Sequence, residues 1–364
     1  MGKLEKLRAD IDGIDQEILK LLNERAALAM EIGREKKDRN VNCYSPEREK
    51  EVLENVARQN PGPLSNETLK GLYREIMSAS RSLEGPLKVA YFGPLATFTH
   101  LAAIRHFGSS ADFIPADSIK GVFEEVESGR TAFGVVPIEN SNEGVVNYTL
   151  DTFIDSDIDS DLKIAGEIML EISQNLLSLS GERGNVKRIY SFLPATAQCR
   201  RWLEKNMPAV QMVDASSTAK AAEIASKDGE AAAIAGEAAA RIYNLKFVAR
   251  DIQDGKHNFT RFLVISREHP KRTGRDKTSL MFSIKDHPGA LFDILSPLKR
   301  SGINLTRIES RPSKRKAWEY IFFMDMRGHI EDKPLKKAVE KIKEHCLYLK
   351  ILGSYPMVED DKGS

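Results

Sequence analysis

The chain has 364 residues, is 41% apolar and 29% charged, and carries 54 Lys and Arg against 53 Asp and Glu, a formal charge of +1. That length suits two or three domains with ordinary cores, and the balance of charge gives no global electrostatic case for nucleic acid or an anionic membrane. Cys43, Cys199 and Cys346 lie far apart, which argues against a disulfide scaffold, a zinc ribbon or an iron–sulfur site.

Apolar residues first recur at Leu4, Leu7, Ile11, Ile14, Ile18, Leu21, Leu28 and Ile32, the three-and-four spacing of one long helix with a heptad seam. Ser45-Pro46 starts a second helix that runs to about Gln59, and Asn60-Pro-Gly-Pro stops it. A third starts near Ser65-Asn66 and carries Leu69, Leu72, Ile76 and Leu83. The first helix is about 50 Å long by its rise per residue. Two shorter partners leave much of its seam uncovered, so a dimer that packs the long helices together is expected.

Gly85-Pro86 marks a boundary, after which short apolar runs alternate with amphipathic helices. Strands are expected at 88–92, 133–138, 210–213, 231–235 and 259–266, with one long or two short strands over 163–179. Helices are expected at 97–107, 195–206 and 217–227, and from 236 to Tyr243. This order predicts an α/β fold with one or two largely parallel sheets. After a basic linker at 268–275, the last 80 residues read strand (278–285), helix (289–300), strand (304–310), strand (317–326), helix (334–345), strand (347–353), the ferredoxin-like β-α-β-β-α-β unit. No run of about 18 apolar residues occurs and the charged first residues lack an apolar core. The expectation is a cytoplasmic chain with neither a secretory signal nor a membrane span.

Arg25 stands where the seam demands an apolar residue, and a lone guanidinium in a bundle costs several kcal/mol unless paired. Lys36 lies eleven residues on, about 20° past three full turns, so the two share a face. Arg8 flanks the seam, Arg48 and Glu49 follow on the second helix, and Glu84 ends the third. Fixed cations at helical spacing suit a dicarboxylate, because Arg donates in a bidentate fork.

Residues 4–84, through "LRADIDGIDQEILKLLNER", "AMEIGREKK", "SPEREKEVLENV" and "LYREIMSASRSLE", resemble the all-helical chorismate mutase domain. The resemblance implies that Arg8, Arg25, Lys36 and Arg48 bind chorismate's carboxylates, with Arg8 supplied by the partner subunit of an intertwined dimer. It assigns Glu49 to the substrate hydroxyl and puts Ser80 and Glu84 beside the reacting centre. Some relatives carry Gln at the position of Glu84 and Asp at that of Ser45. A Glu donates to the ether oxygen only when protonated, so mutase rate is expected to fall as this carboxyl ionises, and Glu84→Gln to lose that dependence. The rearrangement of chorismate to prephenate needs no nucleophile. Holding a compact conformer and stabilising charge on the breaking ether suffices.

In the second segment four polar clusters close predicted strands: Gly93 to Thr99, Glu139 to Gly144, Ala215 to Thr218, and Asn258 to Phe262. Each alone is explained by capping or a tight turn. Together "VAYFGPLATFTHLAA", "GVVPIENSNEGVVNYTLDTF", "AQCRRWL", "SSTAKAAEIA", "AAIAGEAAARIYNL" and "NFTRFLVI" resemble prephenate dehydratase over about residues 88–266. The resemblance implies two α/β lobes, like those of periplasmic binding proteins, with the site in the cleft. It puts the essential Thr at Thr260, with Arg261 and Phe262 beside it, and Asn140, Ser141, Gln198, Ser191, Thr97, Thr99 and Thr218 around it. Arg261 has the opposite face open to it as well, because strand neighbours alternate sides. Ala96 replaces a usual Gly, and "SFLPATAQ" departs from a His-Pro-Gln run. Prephenate loses its ring hydroxyl and CO2 together, and Thr260 is the candidate donor to the leaving oxygen.

The last unit carries "DHPGALFDIL" and "NLTRIESRP" and resembles an ACT domain. That implies phenylalanine at a dimer interface, met by Gly289, Ala290, Leu291 and a turn formed by Glu309, Ser310, Arg311 and Pro312. Residues 271–350 hold 19 Lys and Arg against 10 Asp and Glu, but no RNA-binding motif accompanies the charge. The order of the three resemblances is that of the bifunctional chorismate mutase–prephenate dehydratase family, the P-proteins. It implies domains at 1–86, 87–267 and 277–355, feedback by phenylalanine, a homodimer or dimer of dimers, and no cofactor. The seven histidines form no H-x-x-x-H pair, so no metal is expected. An arogenate dehydratase with the same sensor and a phenylalanine-responsive binding protein stay open as alternatives.

Overall fold

A computed structural model describes residues 2–38, 44–156, 160–255, 257–285, 287–313 and 319–358. Cys43, Asp286 of the "DHPG" string and the first two positions of the strand expected from Ala317 lie outside the described residues. The chain divides into two compact units, Met1–Lys88 with Ile104–Asp112, and Val89–Ala103 with Phe113–Ser364.

The first unit holds α1 (Lys3–Asp38), α2 (Pro46–Gln59) and α3 (Asn66–Glu84). Ser45 caps α2 by accepting from the backbone N–H of Arg48, and Ser65 caps α3 by accepting from that of Thr68 at 3.1 Å. α3 packs against both other helices. The seam of α1 stays bare: Leu4, Leu7, Ile11, Ile14, Ile18, Leu21, Leu28 and Ile32 are each 47–61% exposed.

The chain then forms β1 (Lys88–Phe92), α4 (Phe98–Phe107), β2 (Asp112–Ala116), α5 (Ile119–Glu127), β3 (Phe133–Asn140), β4 (Gly144–Val145), α6 (Asn147–Asp155) and β5 (Lys163–Glu171), all in the second unit except Lys88, Ile104–Phe107 and Asp112. It then crosses to a second sheet through β6 (Asn175–Ser178), β7 (Arg188–Ser191), α7 (Leu193–Gln198), α8 (Arg200–Asn206), β8 (Gln211–Asp214), α9 (Thr218–Ala225), β9 (Ala231–Ala235), α10 (Glu237–Ile242) and β10 (Lys246–Ala249). β11 (Phe259–Ser266) returns to the first sheet. The orders are β2-β1-β3-β11-β5, with β4 on β3, and β10-β6-β9-β7-β8.

The expectation of largely parallel sheets needs correction. β1 and β3 run parallel, as do β7, β8 and β9, but β11 is antiparallel to both β3 and β5, and β6 to both β9 and β10. A strand that enters from the other sheet by a short connection needs no crossover helix, so nothing holds it parallel. The helix expected over 195–206 is two, broken at Cys199. Asp254, from the returning segment, accepts from the N–H groups of Arg201 and Trp202 at 2.9 and 3.1 Å and starts α8 afresh.

The chain ends with β12 (Asp276–Ile284), α11 (Ala290–Arg300), β13 (Leu305–Pro312), β14 (Tyr320–Arg327), α12 (Lys333–Glu344) and β15 (Cys346–Pro356), an antiparallel sheet of order β13-β14-β12-β15. Leu280, Phe282, Met324 and Met326 face the helices. Met281, Phe323, Leu352 and Tyr355 form one core with Ile138, Phe153, Ile164 and Leu263 of the first sheet. A Cβ on Gly353 would fall 2.2 Å from the Ile164 carbonyl oxygen, so only glycine lets β15 come this close to β5.

Candidate active sites

In the helical unit α1 and α3 bring four of the expected residues together. Arg25 Nη1 donates to Ser80 Oγ at 2.7 Å, and Ser80 donates to the carbonyl of Ile76 at 2.8 Å. About three turns along α1 from Arg25, Lys36 Nζ lies 3.5 Å from Glu84 Oε2. Gly33 makes that approach possible, since a Cβ there would stand 2.7 Å from Glu84 Cγ. The result is a guanidinium, a hydroxyl, an ammonium and a carboxyl in line on facing helices. Arg48 points elsewhere, paired with Glu51 at the surface. Arg8 is exposed, about 25 Å from Arg25 along α1 by rise per residue.

Glu49 belongs to a buried cluster that the sequence patterns did not reveal. Arg81 Nη1 meets its carboxylate at 2.8 Å, and the Arg81 guanidinium lies over the Tyr44 ring, 4.7 Å from its centroid. The Tyr44 hydroxyl is 3.2 Å from His106 Nε2. Burial pushes Glu49 up to about 7, against the attraction of Arg81, Arg74 and Lys36. Burial, with Arg74 and Arg81 nearby, holds His106 down to about 4, so it is neutral at physiological pH. These partners come from three separate stretches, so no local spacing announces them.

In the second unit the register of β11 on β3 sets Thr260 opposite Asn140. Asn140 spends its whole hydrogen-bonding capacity locally. Its Nδ2 donates to Thr260 Oγ1 at 2.8 Å and to Asn258 Oδ1 at 2.9 Å, and its Oδ1 accepts from the N–H groups of Asn142 and Glu143 at 2.9 and 3.1 Å. Thr260 Oγ therefore accepts from Asn140, which leaves its O–H to donate. Asn258 Nδ2 donates to Gln198 Oε1 at 2.9 Å, and Gln174 Nε2 donates to the same oxygen at 3.3 Å. Gln198 Nε2 donates to Glu143. One amide chain thus joins both sheets at their two crossings. Asn258 and Glu143 belong to the expected polar clusters without a role assigned to them there, and Gln174 belongs to none. "SNE" and "HNF" place Glu143 and Asn258 beside expected residues, whereas nothing local marks Gln174.

The other expected residues serve the frame. Ser141 Oγ accepts from the Phe259 N–H at 3.0 Å and ties the ends of β3 and β11. Thr97 Oγ1 donates to the Pro94 carbonyl at 3.1 Å and accepts from the N–H of His100 at 3.3 Å, closing the first loop. Ala96 keeps that turn despite its side chain, at φ +71°. Thr99 is buried on α4 and Thr218 begins α9 behind its Ser217 cap. Ser191 is buried at the end of β7 and donates to the Phe192 carbonyl at 3.2 Å. Phe262 is a core residue, 1% exposed.

Arg261 faces away from Thr260, as strand alternation allows. Its Nη2 donates to Asp325 Oδ2 at 2.7 Å, and its Nε lies 3.0 Å from Glu167 Oε2. Lys277 Nζ donates to both Glu167 oxygens at 2.8 Å, and Ser279 Oγ donates to Asp325 Oδ1 at 2.6 Å. Burial opposes the charge on Arg261, but Asp325, Tyr355 and Glu167 outweigh it and hold the guanidinium protonated. Burial likewise works against the Asp325 carboxylate, yet Arg261 and Ser279 keep its pKa below the ordinary value.

In the C-terminal sheet Gly289, at φ +86°, precedes α11, with Ala290 and Leu291 in its first turn. The turn expected at Glu309, Ser310, Arg311 and Pro312 is a correction: all four lie in β13, paired with Phe323, Phe322, Ile321 and Tyr320 of β14. The pairing continues to Pro312 because a proline ends an edge strand without forfeiting a ladder bond. Arg311 reaches back to Asp151 of α6 at 2.9 Å. Among the described residues no helix is long and apolar enough to cross a membrane.

Three family comparisons cover most of the chain. Type II chorismate mutase matches residues 7–85, prephenate dehydratase 89–270, and the ACT domain 278–344. A relative from Aquifex aeolicus (strain VF5), described as a bifunctional chorismate mutase/prephenate dehydratase, is 53% identical over 98% of each chain. One so described from Stutzerimonas stutzeri is 45% identical over 97% of this chain and 98% of that one. The solved structure of a prephenate dehydratase from Arthrobacter aurescens in complex with L-Phe is 35% identical, with TM-score 0.68 over 74% of this chain and 90% of that one.

Proposed function

The chain belongs to the bifunctional chorismate mutase/prephenate dehydratase family, and from that membership we propose how its residues divide the work. It converts chorismate to prephenate and prephenate to phenylpyruvate, in phenylalanine biosynthesis. The observation that carries this is identity of 53% along nearly the full length of both chains. The domains are 1–86, 87–267 and 277–355, and the location is the cytoplasm.

At the mutase site Arg25 and Lys36 bind chorismate's carboxylates, with Arg48 closing from α2 and Arg8 arriving from a second copy. The bare α1 seam supports that second copy. Because Lys36 is the partner of Glu84, a substrate carboxylate takes the ammonium over. Glu84 then stands beside the breaking ether oxygen, where negative charge develops. Ser80 keeps the Arg25 fork aimed, and Glu49 accepts from the substrate hydroxyl.

The dehydratase is a two-lobed cleft of the periplasmic-binding-protein kind, and the amide chain lies across its hinge. The bond from the ring carbon to its carboxylate breaks and releases CO2, its electron pair moves through the ring as the C–O bond opposite breaks, and the ring becomes aromatic only as the leaving oxygen takes a proton and departs as water. Thr260 donates to that oxygen, with Asn140 fixing its direction. Gln198, Ser141, Ser191, Thr97, Thr99 and Thr218 line the cleft. Arg261 and Phe262 support the strand that carries Thr260.

The C-terminal domain is ferredoxin-like and binds phenylalanine at Gly289, Ala290, Leu291 and the 309–312 strand end, across a dimer contact. Phenylalanine inhibits by preferring one conformation of the chain. The test is a time course on chorismate alone. Phenylpyruvate establishes both activities, accumulating prephenate refutes the second, and unconsumed chorismate refutes the first. Phenylalanine added up to millimolar levels should slow the second step, and no response defeats the feedback.

A further inference from the structure

The register that sets Thr260 opposite Asn140 also sets Arg261 opposite Glu139. Successive strand residues face opposite sides, so the second pair lies directly behind the first, through the thickness of the sheet. Residues of the C-terminal domain take hold of it there. Asp325 of β14 accepts from Arg261 Nη2 at 2.7 Å, and Arg307 Nε of β13 lies 3.3 Å from Glu139 Oε2, which is also 3.8 Å from Arg261 Nη1. The side chains of Arg261, Arg307 and Asp325 are 11, 12 and 6% exposed, so water is a poor substitute for any lost partner. Tyr355 and Ser279 brace Asp325 from behind, Ser279 Oγ lying 2.8 Å from the Tyr355 hydroxyl.

We propose that Asp325 and Arg307 are positioning residues of the dehydratase, holding Arg261 and Glu139 so that Thr260 and Asn140 keep the geometry the reaction needs. This rests on the assignment of Thr260 and Asn140 above. The C-terminal domain is then a structural part of the active site, even with no phenylalanine present. Misplacing a reacting group by about 1 Å costs of order a hundredfold in rate, and the lever here is one residue long.

The experiment uses the full chain and reads three quantities on each preparation: dehydratase kinetics on prephenate, mutase activity on chorismate, and the thermal midpoint. Thr260→Val comes first and is expected to abolish dehydratase activity while the mutase persists. Retained dehydratase activity would overturn the site assignment itself. With that variant inactive, Asp325→Asn is expected to lower dehydratase kcat roughly tenfold to a hundredfold, with KM within about threefold and the mutase unchanged. Asp325→Glu, which keeps the charge, should recover most of the loss. Asp151→Asn removes another ion pair of the C-terminal domain, the 2.9 Å contact to Arg311, and should lower the midpoint without lowering kcat. The inference is overturned if Asp325→Asn keeps its kcat, if Glu at 325 is as poor as Asn, or if Asp151→Asn loses kcat in proportion to stability as Asp325→Asn does. Should Asp325→Asn fail to fold, Arg307→Gln reads the same lever through the more exposed Glu139, and there too an unchanged kcat overturns the inference.

Discussion

Replacing Ile14 with Asp should dissociate the dimer proposed above and abolish mutase activity with it. Eight seam residues of α1 are each 47–61% exposed, so about half of each side chain is still to be buried. Full burial of an aliphatic side chain is worth about 1.5–3 kcal/mol, which leaves roughly 1 kcal/mol per residue. Counted over two copies the seam supplies about 16 kcal/mol, against about 4–15 kcal/mol for association. An Asp at position 14 forfeits the Ile contribution twice and brings two carboxylates into an apolar seam, at several kcal/mol each. The dissociation constant should rise by at least about 10⁴-fold. Light scattering after size exclusion reads the mass, and chorismate consumption reads the site. Ile14→Leu is the matched control and should stay dimeric. A mixed assay tests the shared site directly. Arg8→Ala and Arg25→Ala chains, each inactive alone, should regain about a quarter of wild-type mutase activity after mixing, because half the dimers are hybrid and each hybrid holds one intact site. A monomeric Ile14→Asp chain with full mutase activity would refute the reasoning.

Three further outcomes follow from the same geometry. Glu49 is pushed up to about 7 from an ordinary 4.5, so the folded chain binds its proton more tightly than the unfolded one. Its contribution is fully present below about pH 4.5 and is lost as pH rises through 7, by at most about 3 kcal/mol. Denaturant titrations across that window should show the slope flatten in Glu49→Gln. Glu84→Gln should keep mutase activity, because its amide can donate a hydrogen bond from the same place on α3, and a collapse of chorismate turnover would count against a donor at that position. Asn140→Ala should lower dehydratase kcat by about 10²-fold or more with the mutase intact, since it releases Thr260 and two turn N–H groups at once. Activity within a few fold of wild type would remove Asn140 from the machinery.

What could be read from the sequence was local. Ser45-Pro46 and Ser65 announce their helices because a cap needs only three residues, and the β-α-β-β-α-β order is visible in alternating periods. The cap Ser118, with Ile119, Val122, Phe123 and Val126 on one face, marks α5 just as plainly, though the alternation of strands and helices passes over it. Sheet direction was not legible, because β11 and β6 take theirs from crossings between sheets. The two halves of each site differ in the same way. Thr260 and Asn140 stand out in compact strings, whereas Gln174, Gln198 and Asn258 meet only once residues 174, 198 and 258 converge. Arg261 illustrates the limit: the string that contains it is legible, but the partners that define it lie 64 residues away on β14.

The ion cluster behind β11 constrains anyone who would redesign this chain to overproduce its product. Removing the C-terminal domain looks like the simplest way to abolish feedback. Such a cut would strip Arg261 of Asp325 and Glu167 of Lys277, and would bare the apolar face of Ile138, Phe153, Ile164 and Leu263. The shortened enzyme would carry that apolar face into solvent. On the phenylalanine site proposed above, substitutions around Gly289 and Leu291 would leave the ionic lattice and the shared core intact.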